Sequence, residues 1–313
     1  MGNGKNYNAG IDLLKALACL GVVAMHFGHG VKVAPLAVPV FMFVSAYLCG
    51  RLFTEGTWCD LFGRIKRLYV PFVIWGLIYY LVYCIIDHNL DVCVLAKQLL
   101  VGTPACPVLY FLFLLACYSF ILFCVGHMRQ KVVVLSLILV SCLVLQYSGV
   151  NAAVFNHFHF DFRMVLGRFV ELLPAAIIGY GFYLIRQMGV NAKIVTSVFS
   201  LIAITVYGMF IGGAFALKCE GFLYQGLPLL LGATGVCVAG VTWMAIGERV
   251  GGRIRCIAQL TPGIYYIHLL VGKSLEMVIG RQRGWIETIV VFALSAICVF
   301  AMRKIHYVES IVR

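Results

Sequence analysis

Apolar runs of about 17 to 25 residues follow one another along nearly the whole chain, separated by short polar segments. A run of this length crosses the hydrocarbon core of a bilayer as one α-helix, in which each backbone amide finds its partner within the segment. Hydrophobic residues make up 63% of the 313 residues and charged residues only 12%, unlike soluble globular domains. The sequence therefore predicts an all-α, polytopic membrane helix bundle, with residues 1–313 forming one membrane-embedded domain.

The apolar runs and the polar segments between them predict ten membrane-spanning helices. Their predicted ranges are 11–31, 36–54, 69–87, 108–126, 132–149, 170–186, 194–214, 223–246, 257–279 and 286–302. Because ten is an even number, both termini lie on the same side of the membrane. With the N-terminus inside, most Lys and Arg residues fall in the inner segments, so the positive-inside rule predicts that both termini are cytoplasmic.

The formal net charge of +12 does not indicate a nucleic-acid partner. The Lys and Arg residues lie mainly in short segments between apolar runs, where positive-inside anchoring explains them. The 13 cysteines lie mostly within apolar runs, without a CxxC pair or a metal-ligand spacing, which is typical of core residues. We therefore expect the chain to lie in a bilayer and to bind neither nucleic acid nor metal.

The first apolar run contains three polar side chains, Asp12, Lys15 and His26. At about 100° per residue, all three fall within roughly 60° of one another on a helix and form one stripe. An ionisable group that faces lipid costs on the order of 3 kcal/mol, so the stripe faces protein or water and is a candidate functional site. Lys15 and His26 are separated by about 16 Å of helical rise, so they act at different depths. This geometry suits a site that is supplied from one side and emptied on the other.

Two further motifs follow this run. The second run contains Phe43-Val44-Ser45-Ala46-Tyr47, and GRIKRLYVPF leads into the third run, with Arg64 and Arg67 before Pro71. Together with residues 11–26, these segments resemble acyltransferase family 3 of integral membrane O-acyltransferases. Weaker similarities continue along nearly the whole chain, in LYFLFLLACY from residue 109, ELLPAAIIGYGFYL from 171 and TPGIYYIHLL from 261.

Two positions depart from the family pattern. Lys15 replaces the usual Arg, so a point charge on a flexible stem stands where a planar, two-pronged group is typical. Ala46 replaces the usual Gly beside Ser45. Neither change removes a group that transfers a proton.

The resemblance implies an enzyme that moves an acyl group, most often acetyl, from cytoplasmic acetyl-CoA to a hydroxyl of a cell-surface or lipid-linked glycan. Acetyl-CoA would be a co-substrate, with no bound cofactor, and the site would lie in the bacterial cytoplasmic (inner) membrane. His26 would be the general base, because imidazole accepts and returns a proton near neutral pH. Asp12 and Lys15 would orient or charge-balance the donor. The alternative interpretation of Asp12 and Lys15 is a weakly stabilising pair at the helix end. The sequence leaves open whether the protein forms a homo-oligomer.

The predicted donor-binding residues are Arg64, Arg67, Ser45 and Tyr47. Arg pairs well with phosphate, and Arg64 and Arg67 precede a helix, so both would bind the phosphates of acyl-CoA. Ser45 and Tyr47 would position the thioester. The alternatives are positive-inside anchoring for the two arginines and a hydrogen bond from Ser45 to its own helix.

The predicted acceptor-binding residues are Asp161, Arg163 and His268. Asp161 and Arg163 belong to the run HFHFDFR in a predicted outer loop at 150–169, where alternating aromatic residues favour a glycan-binding surface over a metal site. A different class of function remains open, a proton-coupled secondary transporter that uses Asp12, His26, His268 and Glu276. A third is a membrane subunit that only binds a glycan.

Overall fold

A computed structural model describes residues 8–28, 32–87, 91–101, 108–147, 160–188, 193–213, 226–244, 248–280 and 284–305. Within these ranges the chain is α-helical apart from turns and one short 3-10 segment, and it has no strand, so the predicted all-α class is confirmed. In chain order the helices are α1 (Ala9–Phe27), α2 (Ala37–Leu48), α3 (Gly50–Glu55), α4 (Trp58–Asp87), α5 (Val92–Val101), α6 (Tyr110–Gly126), α7 (Lys131–Tyr147), α8 (Phe160–Gln187), α9 (Lys193–Ile211), α10 (Gly226–Trp243), α11 (Glu248–Ile279) and α12 (Trp285–Met302).

Each of the ten predicted spans overlaps helix, although the second is divided between α2 and α3. Helix α4 begins at Trp58, well before the predicted start at 69, so Arg64 and Arg67 lie within this helix and the expectation that they precede it is wrong. Five described helices are long and apolar enough to cross a membrane, namely α1, α4, α8, α10 and α12. Shorter apolar helices account for four further spans: α2, α6, α7 and α9. The remaining span is the C-terminal part of α11, which is 32 residues long and begins with a polar segment. The side of the membrane on which each terminus lies stays a prediction.

Two segments that were expected to be outer loops contain helix. Helix α5 occupies part of the predicted loop at 88–107, and α8 begins at Phe160 within the predicted loop at 150–169. Helix α5 is only 10 residues long, which is too short for a membrane span, although all of its residues except Lys97 and Gln98 are apolar. A search for runs of spanning length therefore overlooks it.

The helices form two compact units. The first contains Met1–Val44, Gly189–Ala216 and Leu227–Arg313, and the second contains Ser45–Met188 and Leu217–Gly226. The boundary falls within α2, between Val44 and Ser45.

In the first unit, α1 packs against α10, α11 and α12. Its N-terminus is capped by Asn8, whose side-chain oxygen accepts from the Gly10 amide at 3.0 Å and whose amide group donates to the Val241 carbonyl at 3.0 Å. A Cβ at Gly10 would collide with the Gly240 carbonyl, so glycine permits the close approach of α1 and α10. At the other end of α1, the Gly284 amide donates to the Phe27 carbonyl at 3.0 Å. Both ends of α1 are therefore fixed by tertiary hydrogen bonds.

In the second unit, α6 packs against α3, α4, α7 and α8. Glycine again allows close contact, because a Cβ at Gly126 would meet the Phe53 carbonyl and one at Gly50 would meet the Tyr183 ring. The Phe53 ring is buried and lies edge-on to the Tyr180 ring, with ring centres 5.4 Å apart. These contacts hold α3, α6 and α8 together.

Candidate active site

Helix α1 carries the three predicted catalytic side chains, with Asp12 in its first turn and His26 in its last. The Lys15 Nζ donates a hydrogen bond to the Asp12 Oδ1 at 3.1 Å. The two side chains are 29% and 14% exposed, respectively, and they lie one turn apart on the helix. The N-terminal end of α1 therefore holds a closed ion pair in which each charge is balanced by its neighbour.

His26, at the opposite end of α1, lies beside His268 on α11. Their ring centres are 5.4 Å apart and their planes are inclined by 43°. His26 is half-buried, whereas His268 is completely buried. Residues on the same two helices bring the rings together, since Gly272 leaves room for the Phe27 ring and the Cys19 thiol donates to the Thr261 carbonyl at 3.7 Å.

The hydrogen bonds of the two histidines differ. The Nδ1 of His268 lies 2.8 Å from the Tyr265 carbonyl oxygen and 3.2 Å from that of Ile264. Its Nε2 is buried and has no hydrogen-bond partner among the described residues. His26 makes no hydrogen bond to any residue within the described ranges. The pair therefore leaves imidazole nitrogens available, which a group that takes a proton from a substrate requires.

Arg64 in the second unit occupies a polar site between helices. Its Nε donates to the Ser119 Oγ at 2.8 Å and its Nη2 donates to the Ser45 Oγ at 2.8 Å. Ser119 in turn donates to the Leu115 carbonyl at 2.7 Å. In the described part of the chain, Arg64 has no carboxylate partner, so its positive charge is oriented by neutral hydroxyls and stays uncompensated. A guanidinium has five N–H donors, and those left over can bind an anion.

The comparison with protein families identifies the family of this chain. The family model described as "Acyltransferase domain", that of acyltransferase family 3, matches residues 8–304. The chain belongs to this family. No curated protein and no solved structure matches it. The match covers nearly the whole chain and includes the described helices of both units, so the protein is a multi-pass membrane acyltransferase.

The other predicted donor-binding residues of this acyltransferase have different surroundings. The Arg67 Nε donates to the Gly63 carbonyl of its own helix at 3.2 Å, and the side chain is exposed. Tyr47 accepts a hydrogen bond from the Arg186 Nη1 on α8 at 2.9 Å. The structure thus joins Arg64 to Ser45 and Tyr47 to Arg186, while Arg67 makes no side-chain contact with these residues.

The predicted acceptor-binding residues are not brought together in the described part of the acyltransferase. Asp161 and Arg163 lie in the first turn of α8, but their side chains fall outside the described residues. His268 is completely buried and lies beside His26. Glu276, which belongs to the alternative transporter hypothesis, is paired with Lys273 at 2.9 Å.

Sequence reasoning missed two partners of the predicted donor residues, Ser119 and Arg186. Both lie in or directly after segments that carry the weaker family similarity, from residues 109 and 171. A hydroxyl in an otherwise apolar helix is the signal that could have indicated Ser119, because such a group seeks a partner on a neighbouring helix. Arg186 lies in an inner segment of the predicted topology, where the positive-inside rule explains an arginine without indicating a specific partner.

Proposed function

We propose that this acyltransferase transfers an acetyl group from cytoplasmic acetyl-CoA to a hydroxyl of a cell-surface or lipid-linked glycan, at the bacterial cytoplasmic membrane. The observation that carries the proposal is the half-buried His26 ring, which has no hydrogen bond to a described residue and lies on the first membrane-spanning helix of a family 3 acyltransferase. Acetyl transfer to a hydroxyl needs a base at the acceptor oxygen. An imidazole with an available nitrogen supplies one.

In the proposed reaction, His26 takes the proton of the acceptor hydroxyl as its oxygen attacks the thioester carbonyl carbon. The new C–O bond forms, the C–S bond breaks, and the CoA thiolate leaves. The proton held by His26 then passes to that thiolate, which restores the neutral imidazole. The step needs no metal and no oxidant, because atoms and charge balance between the alcohol, the thioester and the histidine.

Arg64 is the proposed binding group for a phosphate of the donor. Ser45 and Ser119 hold its guanidinium at 2.8 Å each, so the cation is oriented before the donor arrives. Charge-assisted bonds from arginine to phosphate are stronger than neutral ones. Arg67 is exposed in the same unit and is proposed as a second phosphate contact, with Tyr47, held by Arg186, beside the donor.

Asp12 and Lys15 keep the role of a charge-balanced pair at the donor end of α1 in this proposal. Their ion pair is only partly exposed, so it holds two charges within a membrane-spanning helix without leaving either unbalanced. Asp161 and Arg163, at the start of α8, are the proposed contacts of the acceptor glycan. The chemistry that suits both is a sugar with several hydroxyl groups, because carboxylate accepts and guanidinium donates hydrogen bonds.

The proposal is tested with the purified protein in proteoliposomes, radiolabelled acetyl-CoA and a total cell-envelope glycan fraction. We expect label to appear in a glycan, and we expect unlabelled acetyl-CoA to compete it away. Proteoliposomes without the protein give the background. Proton-coupled solute uptake that needs no acetyl-CoA, with no labelled glycan, would overturn the proposal and favour a transporter.

A further inference from the structure

His268 is buried where α1 meets α11, and its ring centre lies 5.4 Å from that of His26. A group with no exposed surface in this conformation is poorly placed to touch a glycan. The same burial places it well to act on its neighbour. The inference that follows concerns this second role, and it rests on the proposed function of His26 as the base.

The hydrogen bonds of His268 define its tautomer. A carbonyl oxygen only accepts, so the Nδ1 that lies 2.8 Å from the Tyr265 carbonyl must carry the hydrogen. In the neutral ring the Nε2 then has a free lone pair. This atom is buried and has no partner among the described residues. A buried acceptor without a donor is unfavourable, and this favours a donor that can reach it.

The His26 ring lies within reach of that lone pair. A hydrogen bond between two imidazoles needs facing nitrogens about 3 Å apart, which corresponds to ring centres a little over 5 Å apart. The observed separation of 5.4 Å meets this condition once the nitrogens face each other. His26 makes no other hydrogen bond to a described residue, so rotating its ring towards His268 breaks no such hydrogen bond.

We propose that His268 is a positioning residue of the acyltransferase. Its Nε2 accepts a hydrogen bond from one nitrogen of His26, which fixes the tautomer of His26 and leaves the other His26 nitrogen unprotonated towards the acceptor hydroxyl. His26 in either tautomer carries one hydrogen, and without this bond its two nitrogens compete for it. The fixed tautomer keeps the basic nitrogen in one place.

The proton path stays balanced with His268 in this role. His26 takes the hydroxyl proton on its free nitrogen and becomes an imidazolium, while its other N–H continues to donate to His268. The charged ring donates more strongly than the neutral one, so the bond stabilises the imidazolium as it forms. His26 then delivers the new proton to the CoA thiolate. His268 keeps its hydrogen on Nδ1 and stays neutral throughout.

The surrounding helix supports a fixed His268. Ile264 and Tyr265, whose carbonyls accept from its Nδ1, are buried at 0% and 6% exposure. The Tyr265 ring lies edge-on to the Phe41 ring, with centres 6.5 Å apart. Both accepting carbonyls therefore belong to packed residues, and the orientation of the His268 ring is set before substrate binds.

Two variants separate positioning from packing. His268→Phe keeps a ring of similar size but has no acceptor, whereas His268→Gln places a side-chain oxygen near the former Nε2. With wild-type protein as reference, we expect His268→Phe to lower kcat by about 10- to 100-fold with the KM for acceptor nearly unchanged, by analogy with the hydrogen-bond partners that orient metal-bound histidines. His268→Gln should recover most of this loss. Equal loss in both variants, or a change confined to KM, would overturn the proposal.

A measurement that needs no acyl transfer makes the test independent of the proposed function. ¹⁵N NMR of histidine-labelled, purified protein reports the tautomer of each ring, and the His26 signals are assigned by their absence in His26→Ala. We expect one dominant His26 tautomer in the wild type and in His268→Gln, and a mixture in His268→Phe. A wild-type mixture, or the same single tautomer in His268→Phe, would overturn the inference. If only the proposed function is wrong, no acetylated glycan forms, but the tautomer of His26 still depends on His268 in the NMR measurement.

Discussion

The two ends of α1 satisfy their polar side chains in different ways. At the N-terminal end, Asp12 and Lys15 neutralise each other at 3.1 Å. At the C-terminal end, half-buried His26 has no hydrogen bond to a described residue, and the buried Nε2 of its neighbour His268 has no partner among those residues either. A buried polar group without a partner is unfavourable, and this favours a substrate or a neighbouring group that can pair with it. This difference supports the proposal that the chemistry occurs at the His26 end of α1, while Asp12 and Lys15 form a charge-balanced pair at the other end.

The largest expected effect is the loss of the base at the open end of the helix. His26→Ala should lower acetyl transfer to glycan by about 100- to 10,000-fold, because a positioned general base contributes an effect of that size. Transfer is measured with labelled acetyl-CoA at matched protein levels in membranes.

The matched control for His26 is His127→Ala. His127 lies in the other unit, between the Phe123 and Gly56 carbonyls, and has no assigned role in the reaction. It should retain transfer. Full activity in His26→Ala would contradict the assignment of the base.

A smaller effect is expected at Arg64, whose charge has no carboxylate partner among the described residues. Arg64→Ala should raise the KM for acetyl-CoA by about 10- to 100-fold, because charge-assisted bonds to phosphate are lost. Arg64→Lys should recover part of the loss, since a lysine keeps the charge but cannot bridge Ser45 and Ser119 in the same way. Initial rates against acetyl-CoA concentration give these values.

Arg129 offers a control for charge alone. It is an exposed arginine between α6 and α7 in the same unit. Arg129→Ala should leave the KM for acetyl-CoA nearly unchanged. If Arg129→Ala raised that KM as much as Arg64→Ala did, a general surface charge would explain the binding and the specific site would be wrong.

A third effect concerns the packing that holds His26 beside His268. Gly272→Ala places a methyl group against the Phe27 ring, next to His26 in the sequence. Overpacking of this kind costs about 1 to 3 kcal/mol, so the Tm of the purified protein should fall and the transfer rate should fall with it. Gly252→Ala on the same helix meets no atom within 4 Å and should cause neither change. An unchanged Tm in Gly272→Ala would show that α1 and α11 are packed less closely.

The sequence was sufficient for the parts of the fold that depend on local pattern. Apolar run length predicted ten segments that all contain helix, because burying backbone groups in lipid requires helical structure. It missed α5, which is too short to span, and the early starts of α4, α8 and α11, where polar residues interrupt the apolar pattern. The spacing of Asp12, Lys15 and His26 predicted that they lie on one helix at different depths, and α1 contains all three.

The pairing of His26 with His268 was beyond the reach of sequence. The two residues are separated by more than two hundred positions, and their contact depends on small residues such as Gly272 that let α11 approach α1. His268 was predicted to contact the acceptor, because an ionisable residue within a span indicates a functional site. The sequence does not indicate which residue such a side chain contacts. Similarly, the motif predicted Ser45 and Arg64 as separate donor contacts, and the structure joins them through a hydrogen bond.

The most direct test of the difference between the two ends of α1 compares Asp12→Asn combined with Lys15→Met against His26→Ala in one acetyl-transfer assay. The double variant removes both charges together, so no unpaired ion remains, and we predict that it keeps transfer within about 10-fold of wild type, since a partly exposed pair contributes little. His26→Ala should lose transfer almost completely. Loss of transfer in the double variant with retention in His26→Ala would contradict the account.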